Sequence, residues 1–152
     1  MLFYTHVLLG ILFFLLFRGY FSGNILLVFL LMLLGSVLPD LDEPHSKINQ
    51  WSGVLGRIIS FFFKHRGMFH SLLFAGIFLI LLGYFWQWPY AIALALGYLA
   101  HLLIDSITPL GVQLFYPFSR HKIRGPVRTG GAWELFLLAL FIVLIIKQLF
   151  LT

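Results

Sequence analysis

The chain has no cysteine and few charged residues. Without cysteine it has neither disulfides nor thiolate metal ligands, so any metal ion would be held by nitrogen and oxygen. Charged residues make up 10% of the sequence, whereas about 25% is usual for a soluble domain. Hydrophobic residues make up 61%. This composition excludes an ordinary water-soluble fold and predicts one integral membrane domain over residues 1–152.

Five apolar segments approach the roughly 20 residues that cross a bilayer. They run over Leu2 to Phe17, Ile25 to Leu38, Met68 to Trp88, Tyr90 to Thr108 and Ala132 to Leu151. Because helices satisfy every backbone polar group in lipid, we predict an all-α membrane protein with about five transmembrane helices. The first two segments are short, so a thinned bilayer or a re-entrant hairpin is an alternative. The opening residues lack basic side chains and a cleavage pattern, and we expect the first segment to stay in the mature protein.

One further stretch, from Trp51 to Lys64, is amphipathic. Polar or small residues recur there at helical spacing, opposite Val54, Leu55, Ile58 and Phe62. We therefore predict one interfacial amphipathic helix that lies flat in the headgroup region, with its basic residues near lipid phosphates.

Basic residues are concentrated after the second and the fourth apolar segments. Eight of the ten Lys and Arg residues lie there: Lys47, Arg57, Lys64, Arg66, Arg120, Lys122, Arg124 and Arg128. By the positive-inside rule, the N-terminus and both long loops are cytoplasmic and the C-terminus is outside. We expect a bacterial or archaeal cytoplasmic membrane protein.

This topology brings ionisable residues from distant parts of the chain to one membrane face. They are His6, Asp40, Asp42, Glu43, His45, His65, His70, His101, Asp105 and Glu134. Such groups are costly at a span unless they are paired, hydrated or bound to an ion, so their convergence indicates a site on the cytoplasmic side. His101 and Asp105 are the strongest candidates, because an i, i+4 pair projects from one face of an apolar helix.

Taken singly, several of these residues also have a structural interpretation. His6 could be an interfacial residue near a chain end. Asp40 and Asp42 could form a solvated turn that stops a helix. Glu134 could be a first-turn acid that the helix dipole favours. Only the joint pattern raises the functional interpretation above these.

Imidazole and carboxylate ligands suit a first-row divalent ion such as Zn or Mn. The surplus of ligands indicates more than one ion, and two ions about 3.5 to 4 Å apart suit phosphoester cleavage. A bridging carboxylate could come from Asp40, Asp42 or Asp105. We expect Asp42 and Glu134 to be catalytic, with Glu134 as a ligand or general base.

Basic residues beside this cluster are candidates for substrate binding. They are Arg66 and, in the later loop, Arg120, Lys122, Arg124 and Arg128. Juxtamembrane basic clusters attract anionic lipid headgroups, although the same charges also determine topology. Nothing in the chain resembles a base-reading module, so we expect no nucleic acid as partner.

Short motifs in a fixed order resemble a known family. They are Thr5-His6, Leu38-Pro39-Asp40-Leu41-Asp42, His65-Arg66-Gly67-Met68-Phe69-His70-Ser71, the stretch from Gly97 to Asp105 and the stretch from Gly111 to Pro117. Over nearly its whole length the chain resembles the YdjM-like family of predicted membrane-bound metal-dependent hydrolases. The resemblance implies metal-site roles for His6, Asp40, Asp42, His65, His70, His101 and Asp105.

Two functions compete at this point. The leading hypothesis is a metal-dependent hydrolase that cleaves a phosphoester of a lipid or lipid-linked substrate at the cytoplasmic face, with membrane lipid as its partner. The alternative is a metal-binding transport or regulatory membrane protein without hydrolytic activity, since intramembrane acids and histidines also build ion paths. Against transport, the opposite membrane half has no comparable string of polar residues.

Overall fold

The chain is helical in a computed structural model that describes residues 1–62 and 67–151. Seven α-helices lie in those residues: α1 (Phe3–Phe17), α2 (Ile25–Val37), α3 (Lys47–Trp51), α4 (Val54–Phe62), α5 (Leu72–Phe85), α6 (Trp88–Ser106) and α7 (Ala132–Phe150). Within the same residues, β pairing is limited to one isolated bridge between Val112 and Ile123. The all-α prediction is confirmed.

Four helical segments of the described chain have the length and composition to cross a membrane. They are Phe3–Tyr20, Ile25–Asp42, Trp88–Ser106 and Ala132–Phe150. The first two reach 18 residues because a 3-10 turn extends α1 and another extends α2. The fifth apolar helix, α5, is shorter at 14 residues. Its predicted start at Met68 forms a separate 3-10 turn instead.

The predicted amphipathic helix is two short helices. α3 ends at Trp51, and Gly53, with a positive φ of 59°, turns the chain into α4. The buried Asn49 donates through Nδ2 to the backbone oxygens of Leu41 and Gly56, at 2.6 and 2.7 Å. These bonds hold α3, α4 and the turn after α2 together.

The outer face of α4 is apolar and exposed, as expected for an interfacial helix. Its exposed apolar side chains are Val54, Leu55, Ile58, Phe61 and Phe62. Lys64, the predicted end of the amphipathic stretch, lies outside the described residues.

Three glycines allow α1, α2 and α6 to approach closely. A Cβ at Gly35 of α2 would lie 2.1 Å from a backbone oxygen of α6, and one at Gly97 would lie 2.0 Å from the backbone oxygen of Met32. A Cβ at Gly10 of α1 would lie 2.6 Å from Ser36 Oγ. Small residues at such crossings let the helix backbones pack together in a membrane. The backbones of these helices therefore meet around Ser36.

The α6–α7 loop folds back beneath the end of α6. Val112 and Ile123 exchange two backbone hydrogen bonds of 3.0 Å, and Val127 N–H donates to the oxygen of Ile107 at 3.0 Å. α7 then packs along α1, with Phe141 in an apolar cluster that includes Leu9. The loop and the start of α7 therefore lie near the start of α1.

Candidate metal centre

Six of the predicted site residues converge at one end of the helix bundle. His6 comes from α1, Asp40 and Asp42 from the turn after α2, His70 from the turn before α5, and His101 and Asp105 from α6. The remaining predicted ligand, His65, lies outside the described residues.

Four ligand atoms in this cluster face one another: His70 Nε2, His101 Nε2, Asp40 Oδ1 and Asp105 Oδ2. The two Nε2 atoms are 3.3 Å apart. Each lies 3.7 to 3.9 Å from the two carboxylate oxygens. Four ligands at about 2.0 to 2.2 Å from a tetrahedral ion are about 3.3 to 3.6 Å apart. Each carboxylate oxygen, together with the two Nε2 atoms, is therefore spaced so that a small inward movement would let the three atoms hold a metal ion.

The far sides of both imidazole rings have hydrogen-bond partners. His101 Nδ1 lies 2.8 Å from the backbone oxygen of Ser36, and His70 Nδ1 lies 3.2 Å from Asp42 Oδ2. A carbonyl or carboxylate oxygen only accepts, so each Nδ1 carries the proton, and in a neutral ring the Nε2 then carries the lone pair. Metal-binding histidines usually have this arrangement.

The arrangement also gives an electrostatic reason for an ion. The two Nε2 atoms lie 3.3 Å apart in a buried environment, each within 4.0 Å of two carboxylate oxygens, and electron-rich atoms this close together favour a cation between them. His70, His101 and Asp105 are buried, and the Asp40 side chain is 16% exposed. A cation between these atoms would remove their mutual repulsion.

His6 adds a fifth possible ligand. Its ring is buried and stacks on His101, with centroids 3.9 Å apart and an interplanar angle of 11°. Its Nε2 lies 3.5 Å from Asp105 Oδ1, which also accepts the Met1 ammonium at 2.7 Å. Among the described residues, neither ring nitrogen of His6 has a hydrogen-bond partner. A buried polar group without a partner is costly, and binding to an ion would remove that cost.

These ligand atoms form two overlapping groups. His6, Asp40 and His101 form one, and His70, His101 and Asp105 form the other, with the ligand atoms of each group within 4.8 Å of one another. Because the two oxygens of Asp105 face His6 on one side and His70 on the other, this carboxylate could bridge two ions.

The predicted catalytic residues lie at the edge of the cluster. Asp42 faces His70 from the Nδ1 side, where it orients the ring. Glu134 Oε1 accepts the N–H of Leu2 at 2.7 Å and the hydroxyl of Thr5 at 2.8 Å. Its Oε2 accepts the N–H of Gly130 at 2.5 Å. Glu134 thus fastens the first turn of α1, and the catalytic roles of both acids stay predictions.

A cavity of about 370 Å³ opens beside the cluster. Its lining is Met1, Leu2, Phe3, Asp40, Glu43, His45, Ser46, Lys47, Leu110 and Thr129. Asp40 belongs to both the cavity wall and the ligand set, so a molecule in the cavity would lie next to a candidate metal ligand.

Four of the five predicted basic residues lie on the α6–α7 loop. Arg120, Arg124 and Arg128 are exposed on the α6–α7 loop and Lys122 is half-buried there. The described part of the cavity lining includes none of these four. Arg66 lies outside the described residues, and substrate binding by this set stays a prediction.

Two residues of the site were missed by the sequence reasoning. Lys47 was counted only as a topology charge, although its place shortly after Asp40 and Asp42 was a usable signal. Ser36 contributes a backbone oxygen, for which its side chain gives no signal. Its place four residues before Asp40 shows only that the two are one helical turn apart.

Comparisons with known proteins agree with this architecture. The family model described as YdjM inner membrane protein matches residues 1–151. The inner membrane protein YdjM of Escherichia coli (strain K12) is 34% identical over 122 residues, covering 72% of this chain and 61% of that protein. YdjM of Shigella flexneri gives the same values. The uncharacterized protein YvsG of Bacillus subtilis (strain 168) is 34% identical over 108 residues, covering 69% of this chain and 67% of that protein.

The match therefore spans less than two thirds of the length of either YdjM relative. No solved structure matches the chain with significance. Nearly the whole chain fits the family model, and the apolar helices agree with the family's description. The chain belongs to the YdjM family of membrane proteins.

Proposed function

We propose that this membrane protein is a metal-dependent hydrolase that cleaves a phosphoester of a lipid or lipid-linked substrate. The observation that carries the proposal is the convergence of two Nε2 atoms and two carboxylate oxygens, with each imidazole held from behind by an acceptor. Burying such groups in an apolar bundle is costly unless they are paired with one another or bound to an ion.

The ligand set supports a divalent ion, Zn or Mn, because it consists of imidazole and carboxylate without thiolate. When bound, the ion supplies Lewis acidity toward a phosphoryl oxygen and activates water as a nucleophile. His70, His101, Asp40 and Asp105 would hold it. Asp42 orients the ring of His70 from its Nδ1 side.

The position of the site supports an amphiphilic substrate. The cavity lies at the end of the bundle where Asp40 is partly exposed, close to the helix α3 that precedes the exposed apolar face of α4. Basic residues of the α6–α7 loop attract anionic headgroups to the same end. The name of the Escherichia coli relative supports a bacterial inner membrane. From the positive-inside rule alone, we propose that this end faces the cytoplasm.

The test is a screen of purified protein in detergent micelles. Phosphatidic acid, a polyprenyl monophosphate and p-nitrophenyl phosphate are supplied with Zn or Mn, and phosphate or nitrophenol release is measured. We expect release from at least one lipid, its loss with chelator and its loss in His101→Ala. The exposed His121 gives the matched control, His121→Ala, which should retain it.

The same preparation distinguishes the hydrolase from the alternative function, metal transport. A protein that binds metal and releases nothing from any phosphoester, yet moves the ion into proteoliposomes, is a transporter and contradicts the hydrolase proposal. Apolar side chains such as Met32, Tyr90 and Ala93 fill the bundle between α2 and α6, which argues against an ion path there.

A further inference from the structure

Lys47 is held in a defined position at the cavity wall. Its Nζ donates to the hydroxyl of Tyr4 at 2.7 Å and lies 4.0 Å from the centroid of the same ring. It also lies 5.4 Å from the ring of Phe3. The hydrogen bond and the two cation–π contacts restrain an ammonium that would otherwise be mobile in solvent.

This ammonium still has charge available for a ligand. An ammonium carries three N–H donors, and the Tyr4 hydroxyl accepts one. In the described chain, no carboxylate lies within 4.0 Å of Nζ, the limit for an ion pair. Glu43 shares the cavity wall, and its Oε1 accepts the backbone N–H of His45 at 3.2 Å. Lys47 is thus a fixed cation beside the candidate metal centre.

The same wall continues as an apolar surface. Phe3 lines the cavity, and its ring meets Trp51 edge-on, with centroids 5.3 Å apart. Trp51 is 70% exposed at the end of α3, and Val54 and Leu55 follow it on the exposed face of α4. Tryptophan favours the membrane interface, where one side of the ring is apolar and the other is wet. An apolar path therefore runs from the cavity to the interfacial helix.

We propose that this cavity binds an amphiphilic phosphate ester, with Lys47 on a phosphate oxygen and the Phe3–Trp51 wall against the first part of the hydrophobic chain. The inference rests on the proposed function only for the reaction at the phosphate. The binding of the ligand by Lys47 and the Phe3–Trp51 wall does not depend on that reaction. A charge-assisted contact from Lys47 and an ion at Asp40 would hold the phosphate from two sides.

The test is calorimetric binding of two probes to the metal-loaded full chain in maltoside micelles. The phosphonate analogue of dihexanoyl phosphatidic acid, which phosphoester hydrolysis cannot cleave, carries the phosphate-like headgroup and short acyl chains, and inorganic phosphate carries the charge alone. We expect the wild type to bind the lipid more tightly than inorganic phosphate. Equal affinity for both probes would indicate a site for free phosphate and would overturn the proposal that the ligand is amphiphilic.

Two substitutions separate the two halves of the site. Lys47→Met should weaken both probes by about tenfold to a hundredfold, the usual effect of losing a charged hydrogen bond. Trp51→Ala should weaken the lipid and leave inorganic phosphate unchanged. Lys47→Arg keeps the charge and should retain binding of both, which would attribute the loss in Lys47→Met to the missing charge.

Matched controls exist on α7. Lys147→Met removes an exposed lysine at the far end of the bundle, and Trp133→Ala removes a tryptophan that is also 70% exposed. Both should bind like the wild type. Unchanged affinities in Lys47→Met or in Trp51→Ala overturn the proposal.

Failure of the proposed hydrolase function and failure of this binding site would give different results. Lipid binding that depends on Lys47 and Trp51, without phosphate release under any metal, keeps the binding site and rejects the hydrolase. Metal-dependent release of phosphate that is insensitive to both substitutions keeps the hydrolase and rejects this binding site.

Discussion

The imidazole rings of His6 and His101 lie parallel, with centroids 3.9 Å apart, although they belong to the first helix and to α6. The stack forms because α1 and α6 both pack closely against α2. Gly10, one turn after His6, meets Ser36, and Gly97, one turn before His101, meets Met32. The candidate ligands are thus positioned by backbone contacts between helices.

Gly97→Ala should therefore damage the site without touching a ligand. The added Cβ would lie 2.0 Å from the backbone oxygen of Met32, so α2 and α6 must separate and the bond from His101 to Ser36 must lengthen. Overpacking of this kind costs about 1 to 3 kcal/mol. Thermal unfolding in micelles should show a lower Tm, and chelator competition should show weaker metal binding.

Gly76→Ala on α5 is the control for this prediction. Nothing lies within 4 Å of its added Cβ, and alanine favours the helix. Its Tm should equal or exceed that of the wild type. Equal stability and metal affinity in Gly97→Ala would show that the close crossing does not position the site.

Asp42→Asn should weaken metal binding and not abolish it. The amide oxygen can still accept the proton of His70 Nδ1, but the negative charge beside the ring is lost. Replacing a residue that hydrogen-bonds a metal-binding histidine lowers metal affinity by about 10- to 100-fold. Competition with a chromophoric chelator measures this, with Asp40→Asn as the comparison. If the two variants lose metal equally, Asp42 is itself a ligand.

Glu134→Gln should lower stability and leave metal content unchanged. One carboxylate oxygen becomes an amide NH2. This donor would face another donor, either at the start of α1 or at Gly130. Leaving buried donors unsatisfied costs about 1 to 3 kcal/mol each. Circular dichroism would give the loss in Tm. Unchanged stability with lost hydrolysis would instead make Glu134 the general base.

The absence of cysteine makes sidedness directly testable. Arg124→Cys, at an exposed position of the α6–α7 loop, should be labelled by an impermeant maleimide only after the cells are opened. Lys147→Cys, near the other end of α7, should react in intact cells. The reverse pattern would place the candidate site outside.

Much of the candidate site follows from the sequence because helix ends are easy to locate in an apolar chain. His101 and Asp105 share a helical face by spacing alone. His6, Asp40 and His70 follow from the order of the apolar segments, since an even number of crossings returns the chain to the same side. The structure brings these residues together at one end.

Other features depend on tertiary contacts that no local pattern encodes. The backbone oxygen behind His101 comes from Ser36 on another helix. In the sequence, Glu134 looks like an acid in the first turn of a helix, which the helix dipole favours. Its bonds to the start of α1 depend on how α7 packs. The periodicity from Trp51 onward is continuous through Gly53, whose positive φ nevertheless ends one helix before the next begins.

Metal content is the most direct test of the central claim, which is that the facing imidazole and carboxylate groups bind a divalent ion. Elemental analysis of purified wild type, His101→Ala and the exposed control His121→Ala should follow a check of helix content by circular dichroism. We predict about one Zn or Mn ion per chain or more in wild type and His121→Ala, and background levels in a folded His101→Ala. Equal metal content in all three folded proteins would contradict the account.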